Sequence, residues 1–137
     1  MNHPSPGSGF LHQQLPAIVW ALLIFVSSSI PSLTPAFPKG VHIDKLVHGA
    51  VFFVLAWLVY RALAHQSRLP RLRDQAKLFT VLIGVGYGVF DEVHQLFVKG
   101  RSSELYDVTA DAAGVIGFVL LAWHLERRGR RRSARAD

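Results

Sequence analysis

Charged side chains are so widely spaced along this chain that four long apolar stretches lie between them. These stretches run from Met1 to Pro38, Leu46 to Tyr60, Leu78 to Phe90 and Ala112 to Leu125. The second stretch, LVHGAVFFVLAWLVY, has no polar face, and only His48 interrupts it. A helix on the surface of a soluble protein has a polar face along its length. The pattern therefore predicts helices that face lipid.

The last three stretches contain 15, 13 and 14 residues, fewer than the roughly 20 that cross a bilayer. They reach a spanning length when their polar flanks are placed in the membrane interfaces or in a polar interior. The predicted helices then cover residues 15–32, 44–64, 77–98 and 107–125. We therefore predict an all-α integral membrane protein. Its four-helix transmembrane domain covers residues 15–125, after a flexible N-terminal lead (1–14) and before an Arg-rich tail (126–137).

Composition agrees with this interpretation, because 50% of the residues are hydrophobic and only 18% are charged, which is too apolar for an ordinary soluble domain. The absence of cysteine excludes disulfides, thiolate nucleophiles and cysteine-ligated metal centres. No lysine or arginine precedes Lys39, so the first apolar segment lacks the basic start of a signal peptide and is expected to be retained.

Basic residues are concentrated in two segments outside the predicted helices. The chain has 15 basic and nine acidic residues, a net charge of +6. Eleven of the basic residues lie in the second connection and the tail, and four lie in the first and third connections. The positive-inside rule places both termini in the cytoplasm. Because topology and contact with anionic headgroups account for the basic excess, we expect membrane lipids and no nucleic acid as partners.

Acidic residues and histidines lie near the opposite, external helix ends, where residues three or four apart share a helix face. Asp44 and His48 form such a pair at the start of the second helix, as do Asp107 and Asp111 at the start of the fourth. Asp44 and Asp107 are also suitable helix caps. We expect three helices to converge on a polar pocket there. Its predicted ligand-binding residues are Asp44, His48, Asp91, Glu92, His94, Gln95, Arg101, Asp107 and Asp111.

The adjacent carboxylates Asp91 and Glu92 cannot be buried as ions without a cation nearby, and Arg101 is the expected partner. Together with His94 they are candidates for general acid–base catalysis, although no catalytic role is assigned. The same groups could ligate a divalent metal. No HExxH or comparable spacing occurs, so the sequence favours a metal-free polar network without a cofactor.

At these residues the chain resembles the VanZ-like family of small bacterial membrane proteins, named for a teicoplanin-resistance protein. The family's Asp-Lys-x-x-His motif is similar to residues 44–48, and its Asp-Glu-x-His-Gln-x-Phe signature, followed by Gly-Arg, is similar to residues 91–101. The resemblance covers roughly residues 25–123 and includes Ser27, Ser28, Phe52, Asp107 and Gly114. The chain departs from the family in having Asp111 where Asn is usual, and in the shorter glycine spacing of Gly114 and Gly117.

The resemblance implies a four-helix domain in the bacterial cytoplasmic membrane and a role linked to susceptibility to teicoplanin-type glycopeptides. Our leading hypothesis is that the external pocket binds an anionic, lipid-linked molecule of the cell envelope, with Arg101 holding a group such as phosphate. One alternative is a membrane-embedded hydrolase or transferase acting on such a lipid-linked precursor. Another is a transport or structural role for the same polar network.

Overall fold

The computed structural model describes residues 12–30, 43–101 and 103–134, which form helices and loops with no strand among them. The helices are α1 (Leu15–Ser28), α2 (Ile43–Ala64), α3 (Pro70–Asp74), α4 (Ala76–Gln95) and α5 (Leu105–Ser133). The all-helical prediction is thus confirmed for the described residues. Residues 1–11 of the predicted flexible lead, residues 31–42, Ser102 and residues 135–137 of the predicted Arg-rich tail lie outside them.

The observed helices follow the predicted ones with shifted ends. α1 ends at Ser28 rather than at residue 32, and α4 ends at Gln95 rather than at residue 98. α5 begins at Leu105 and continues past the predicted end at residue 125 to Ser133, so the Arg-rich segment begins as a continuation of the helix. The short α3, which the sequence pattern did not predict, has a proline in its first turn, where no backbone N–H is needed.

The four long helices α1, α2, α4 and α5 alternate in direction along the chain. α2 packs against all the other helices. α2 and α5 run the same way, because His48 pairs with Asp111 near their starts and Tyr60 bonds Glu126 farther along both helices. The apolar core lies between α1, α2 and α5 and consists of Ile24, Phe52, Leu55, Ala56, Val59, Val115 and Phe118. This packing brings the C-terminal ends of α1 and α4 to the N-terminal ends of α2 and α5.

The molecule carries apolar side chains on its outside and carboxylates on its inside. Leu46 and Leu22 are 72% and 57% exposed, and many other large aliphatic side chains are also exposed. The buried polar residues are Ser28, Thr80, Asp91, Glu92, Gln95, Asp107 and Asp111. Two helices, α2 and α5, are long and apolar enough to cross a bilayer by length and composition. The remaining spans and the position of the termini stay predictions.

Candidate functional site

Most of the buried polar residues are gathered at one end of the bundle, where Asp91 links α1 to α4. Ser28 Oγ, in the last turn of α1, donates a hydrogen bond to Asp91 Oδ1 over 2.7 Å. Gln95 Nε2, one turn farther along α4, donates to Asp91 Oδ2 over 3.0 Å. Asp91 is only 2% exposed, so these neutral donors replace the water that its carboxylate loses on burial.

Glu92 lies beside Asp91, shares the Gln95 amide with it, and also bonds to the start of α5. The backbone N–H of Glu104 donates to Glu92 Oε2 over 3.1 Å, and Gln95 Nε2 lies 3.3 Å from Oε1. Glu92 therefore ties the start of α5 to the end of α4. All of these donors are neutral, and no lysine or arginine among the described residues forms an ion pair with Asp91 or Glu92.

His48 and Asp111 join α2 to α5 in the interior. His48 Nδ1 lies 3.0 Å from Asp111 Oδ1. Asp111 is fully buried, and its other oxygen, Oδ2, has no hydrogen-bond partner among the residues described. Oδ2 approaches α4 at Gly88, where a Cβ would lie 3.2 Å from it. The missing side chain at Gly88 thus makes room for a carboxylate between α4 and α5.

Lys45 neutralises the carboxylates at the mouth of this end of the bundle. Its Nζ lies 3.1 Å from Asp44, 2.9 Å from Glu104 and in direct contact with Asp107. Asp107 therefore pairs with a lysine, and the N-cap position of α5 is occupied by Glu104, whose side chain makes no capping bond. Lys45 was not among the predicted site residues. Its position between Asp44 and His48, two residues that were predicted to line the pocket, could have indicated it.

His94 is held on a different side of α4. Its Nε2 lies 2.9 Å from Ser29 Oγ, and its ring stacks on Phe25 with centroids 4.4 Å apart. No hydrogen bond joins it to Asp91 or Glu92 among the described residues. The structure thus does not assemble the predicted acid–base trio into one hydrogen-bonded unit. Asp91 and His94 instead bond to Ser28 and Ser29 of α1. Neither serine was among the predicted site residues.

The expected ion pair between Arg101 and the Asp91–Glu92 carboxylates is not formed. Gly100 adopts a φ of 88°, a left-handed conformation that glycine takes without strain, and the chain turns there so that Arg101 lies against α1. Arg101 Nη2 donates to the Ser27 carbonyl oxygen over 2.6 Å. Its Nε is buried and has no acceptor in the part of the chain that the structure describes.

A cleft of about 110 Å³ opens between α1, α2 and α4 at this end. Its polar wall includes Arg101, His48 and Asp91, and its apolar wall is formed by Ile24, Val47, Val51 and Phe52. Of the predicted ligand-binding residues, Asp91, His48, Gln95 and Arg101 line this cleft. Asp44 and Asp107 instead surround Lys45. Glu92 and Asp111 do not line the cleft but lie close to His48, which does.

His48, Glu92 and Asp111 offer ligand atoms that all lie within 4.8 Å of one another. An imidazole nitrogen and two carboxylate oxygens are donors that divalent metals accept in proteins. This end of the bundle therefore combines an arginine facing a cleft with a separate three-residue cluster of metal-ligating type.

The chain matches the family model described as VanZ/LLP1 over residues 14–126. That match includes every predicted site residue and all the helices except the last turns of α5. No curated protein and no solved structure matches the chain.

Proposed function

Because this chain belongs to the VanZ/LLP1 family, we propose that it is a multi-pass protein of the bacterial cytoplasmic membrane whose cleft binds an anionic cell-envelope molecule. The ligand is lipid-linked and presents a phosphate-like group to Arg101. Through this binding the protein modulates susceptibility to teicoplanin-type glycopeptides. The observation that carries the proposal is the buried Arg101 Nε, which has no acceptor among the described residues and belongs to a side chain lining the cleft.

The distribution of side chains supports a membrane location. Large aliphatic residues cover the outside of the bundle, and apolar patches of this extent on a protein surface mark contact with lipid or protein. Near the end opposite the cleft, Trp57 and Trp123 are exposed, with the guanidinium groups of Arg61 and Arg127 at 5.8 and 3.7 Å from their ring centroids. Tryptophan beside basic residues is typical of a membrane–water interface.

Charge asymmetry supports an external position for the cleft. The end of the bundle opposite the cleft carries Arg61, Lys77 and the arginines of the last turns of α5. The cleft end carries most of the acidic residues. Because basic residues favour the cytoplasmic side, this arrangement favours four spans with both termini inside and the cleft outside.

The walls of the cleft suit an amphiphilic ligand. Guanidinium donors match the oxygens of phosphate and carboxylate groups. The carboxylate oxygens of Asp91 already accept bonds from Ser28 and Gln95, so Arg101 supplies the free donor. A volume of about 110 Å³ suits a single headgroup substituent, and Val47 and Val51 on the opposite wall lead toward the apolar outer surface, where a lipid chain would lie.

The test compares wild type, Arg101→Gln and Lys99→Gln, purified in mild detergent from bacterial membranes. Lys99 is an exposed residue of the same loop, so its substitution removes the same charge outside the cleft. Native mass spectrometry of the three proteins should show an anionic lipid-linked species on wild type and Lys99→Gln, and its loss from Arg101→Gln. Expression of wild type or Lys99→Gln should change the susceptibility of cells to teicoplanin, and expression of Arg101→Gln should not.

Retention of the same species by Arg101→Gln would contradict the proposal.

The network inside the bundle also favours a second, structural role, because Ser28–Asp91 and Lys45–Asp107 join separate helices. In that case Glu92→Gln, which removes the carboxylate that joins α4 to the start of α5, lowers the melting temperature and leaves bound lipids unchanged. Conversion of a lipid-linked precursor that stops in Glu92→Gln, with folding intact, would favour the hydrolase or transferase alternative.

A further inference from the structure

We propose that His48, Glu92 and Asp111 bind a divalent transition-metal ion between α2, α4 and α5. The sequence favoured a metal-free network because the three residues lie far apart in the chain and match no metal motif. In the structure, one ligand atom from each comes within 4.8 Å of the other two. The metal site does not depend on the ligand proposed for the cleft.

The burial of these side chains supports the site. Asp111 is fully buried and Glu92 is only 3% exposed. An ionised carboxylate in such surroundings is costly unless a cation compensates it. Lys45 is already engaged with Asp107, Glu104 and Asp44, and Arg101 donates to a backbone carbonyl of α1. The structure thus provides two buried carboxylates with no lysine or arginine of their own.

Asp111 Oδ2 provides an independent indication. It is a buried oxygen with no hydrogen-bond donor within residues 12–30, 43–101 and 103–134, whereas buried carboxylate oxygens in proteins are nearly always satisfied. It points toward α4 at Gly88, one turn before Glu92 and on the same helix face. Asp111 thus combines a buried oxygen that lacks a donor among the described residues with a carboxylate that comes within 4.8 Å of ligand atoms of His48 and Glu92, and it is placed to bind a cation.

The donor set identifies the class of ion. Imidazole nitrogen suits Zn²⁺ and neighbouring transition metals, whereas Mg²⁺ and Ca²⁺ prefer sites made entirely of oxygen. Zinc–ligand bonds of about 2.0–2.2 Å require the three atoms to close in by about 1 Å, which side-chain rotation can supply. Three protein ligands leave a coordination position open for water or another oxygen ligand.

The experiment uses the full chain in detergent, without a histidine tag and stripped with a chelator. Zn²⁺, Mn²⁺ and Mg²⁺ are titrated separately, with stoichiometry read by elemental mass spectrometry and affinity by calorimetry. We expect one equivalent of Zn²⁺ or Mn²⁺, no comparable binding of Mg²⁺, and a higher melting temperature with the bound ion. Asp111→Asn and His48→Gln should each weaken binding by more than the about 10–100-fold that outer-shell substitutions cost.

Two matched variants control for other sites. Glu104→Gln removes a carboxylate that pairs with Lys45, and His65→Gln removes an exposed histidine from the opposite end of the bundle; both should bind like wild type. Without metal, Asp111→Asn should melt close to wild type, because the amide that replaces the carboxylate can still hydrogen-bond to His48 Nδ1. If Asp111→Asn fails to fold, His48→Gln decides. Failure of wild type to bind Zn²⁺ or Mn²⁺, or equal binding by His48→Gln, would overturn the proposal.

Discussion

Ser27 and Ser28 are neighbours in the last turn of α1, but their hydroxyl groups bond to different parts of the molecule. Ser27 Oγ donates to the carbonyl oxygen of Ile24 in its own helix, over 2.8 Å. Ser28 Oγ reaches across to Asp91 on α4. Only the second bond joins two helices and satisfies a buried carboxylate.

Ser28→Ala should therefore destabilise the protein by about 1–2 kcal/mol, because the variant leaves a buried acceptor without one of its donors. Ser27→Ala, the matched control, should change stability by a few tenths of a kcal/mol, since the bond it removes lies within one helix. Reversible unfolding of both variants in mixed micelles measures the difference. Equal stability of the two variants would show that Asp91 gains nothing from Ser28.

At the scale of the helices, α2 and α5 approach each other closely where Gly49 meets Gly114. A Cβ on Gly114 would overlap the carbonyl oxygen of Gly49 and lie 3.0 Å from its Cα. Small residues at such crossings let helix backbones approach one another in membrane proteins. This approach also sets the distance between His48, which directly precedes Gly49, and Asp111, which lies one turn before Gly114.

Gly114→Ala should force the two helices apart and cost about 1–3 kcal/mol, as overpacking does in other tightly packed interiors. Gly117→Ala on the same helix is the control, since a Cβ there meets nothing within 4 Å, and its stability should be equal to wild type or slightly higher because alanine favours helix. Unfolding midpoints in mixed micelles compare the two. Gly114→Ala should also weaken Zn²⁺ binding, and a variant as stable as Gly117→Ala would contradict the close crossing.

At the scale of the whole molecule, the bundle has an acidic end with the cleft and a basic end with the arginines of α5. In the proposed topology these two ends lie on opposite sides of the membrane. The chain contains no cysteine, so a single introduced cysteine reports its own side without interference.

Lys99→Cys, at the acidic end, should react with a membrane-impermeant maleimide in intact spheroplasts. Ala134→Cys, just after α5, should react only after the membrane is permeabilised. The cysteine-free parent serves as the unlabelled control. Labelling of Ala134→Cys alone would invert the orientation and place the cleft in the cytoplasm, whereas labelling of both would contradict a membrane-spanning α5.

The sequence by itself determined the helices and the ends at which polar groups gather. A helix depends on residues close together in the chain, so the apolar stretches located α1, α2, α4 and α5 to within a few residues at most ends. The spacing of Asp44 with His48, and of Asp107 with Asp111, also placed these carboxylates at one end, because helices joined by short connections alternate in direction. The extension of α5 to Ser133 was missed because its arginines were read as a tail.

Only the tertiary structure decided which polar groups meet. It paired Arg101 with the Ser27 carbonyl oxygen, His48 with Asp111, and Lys45 with Asp107, and it turned His94 away toward α1. A hydrogen bond requires its two heavy atoms to be about 3 Å apart. That distance depends on how each helix is rotated about its axis and on how closely α2 and α5 cross at their glycines. Both depend on contacts between residues that are distant in the chain, so the local pattern of any one helix does not determine them.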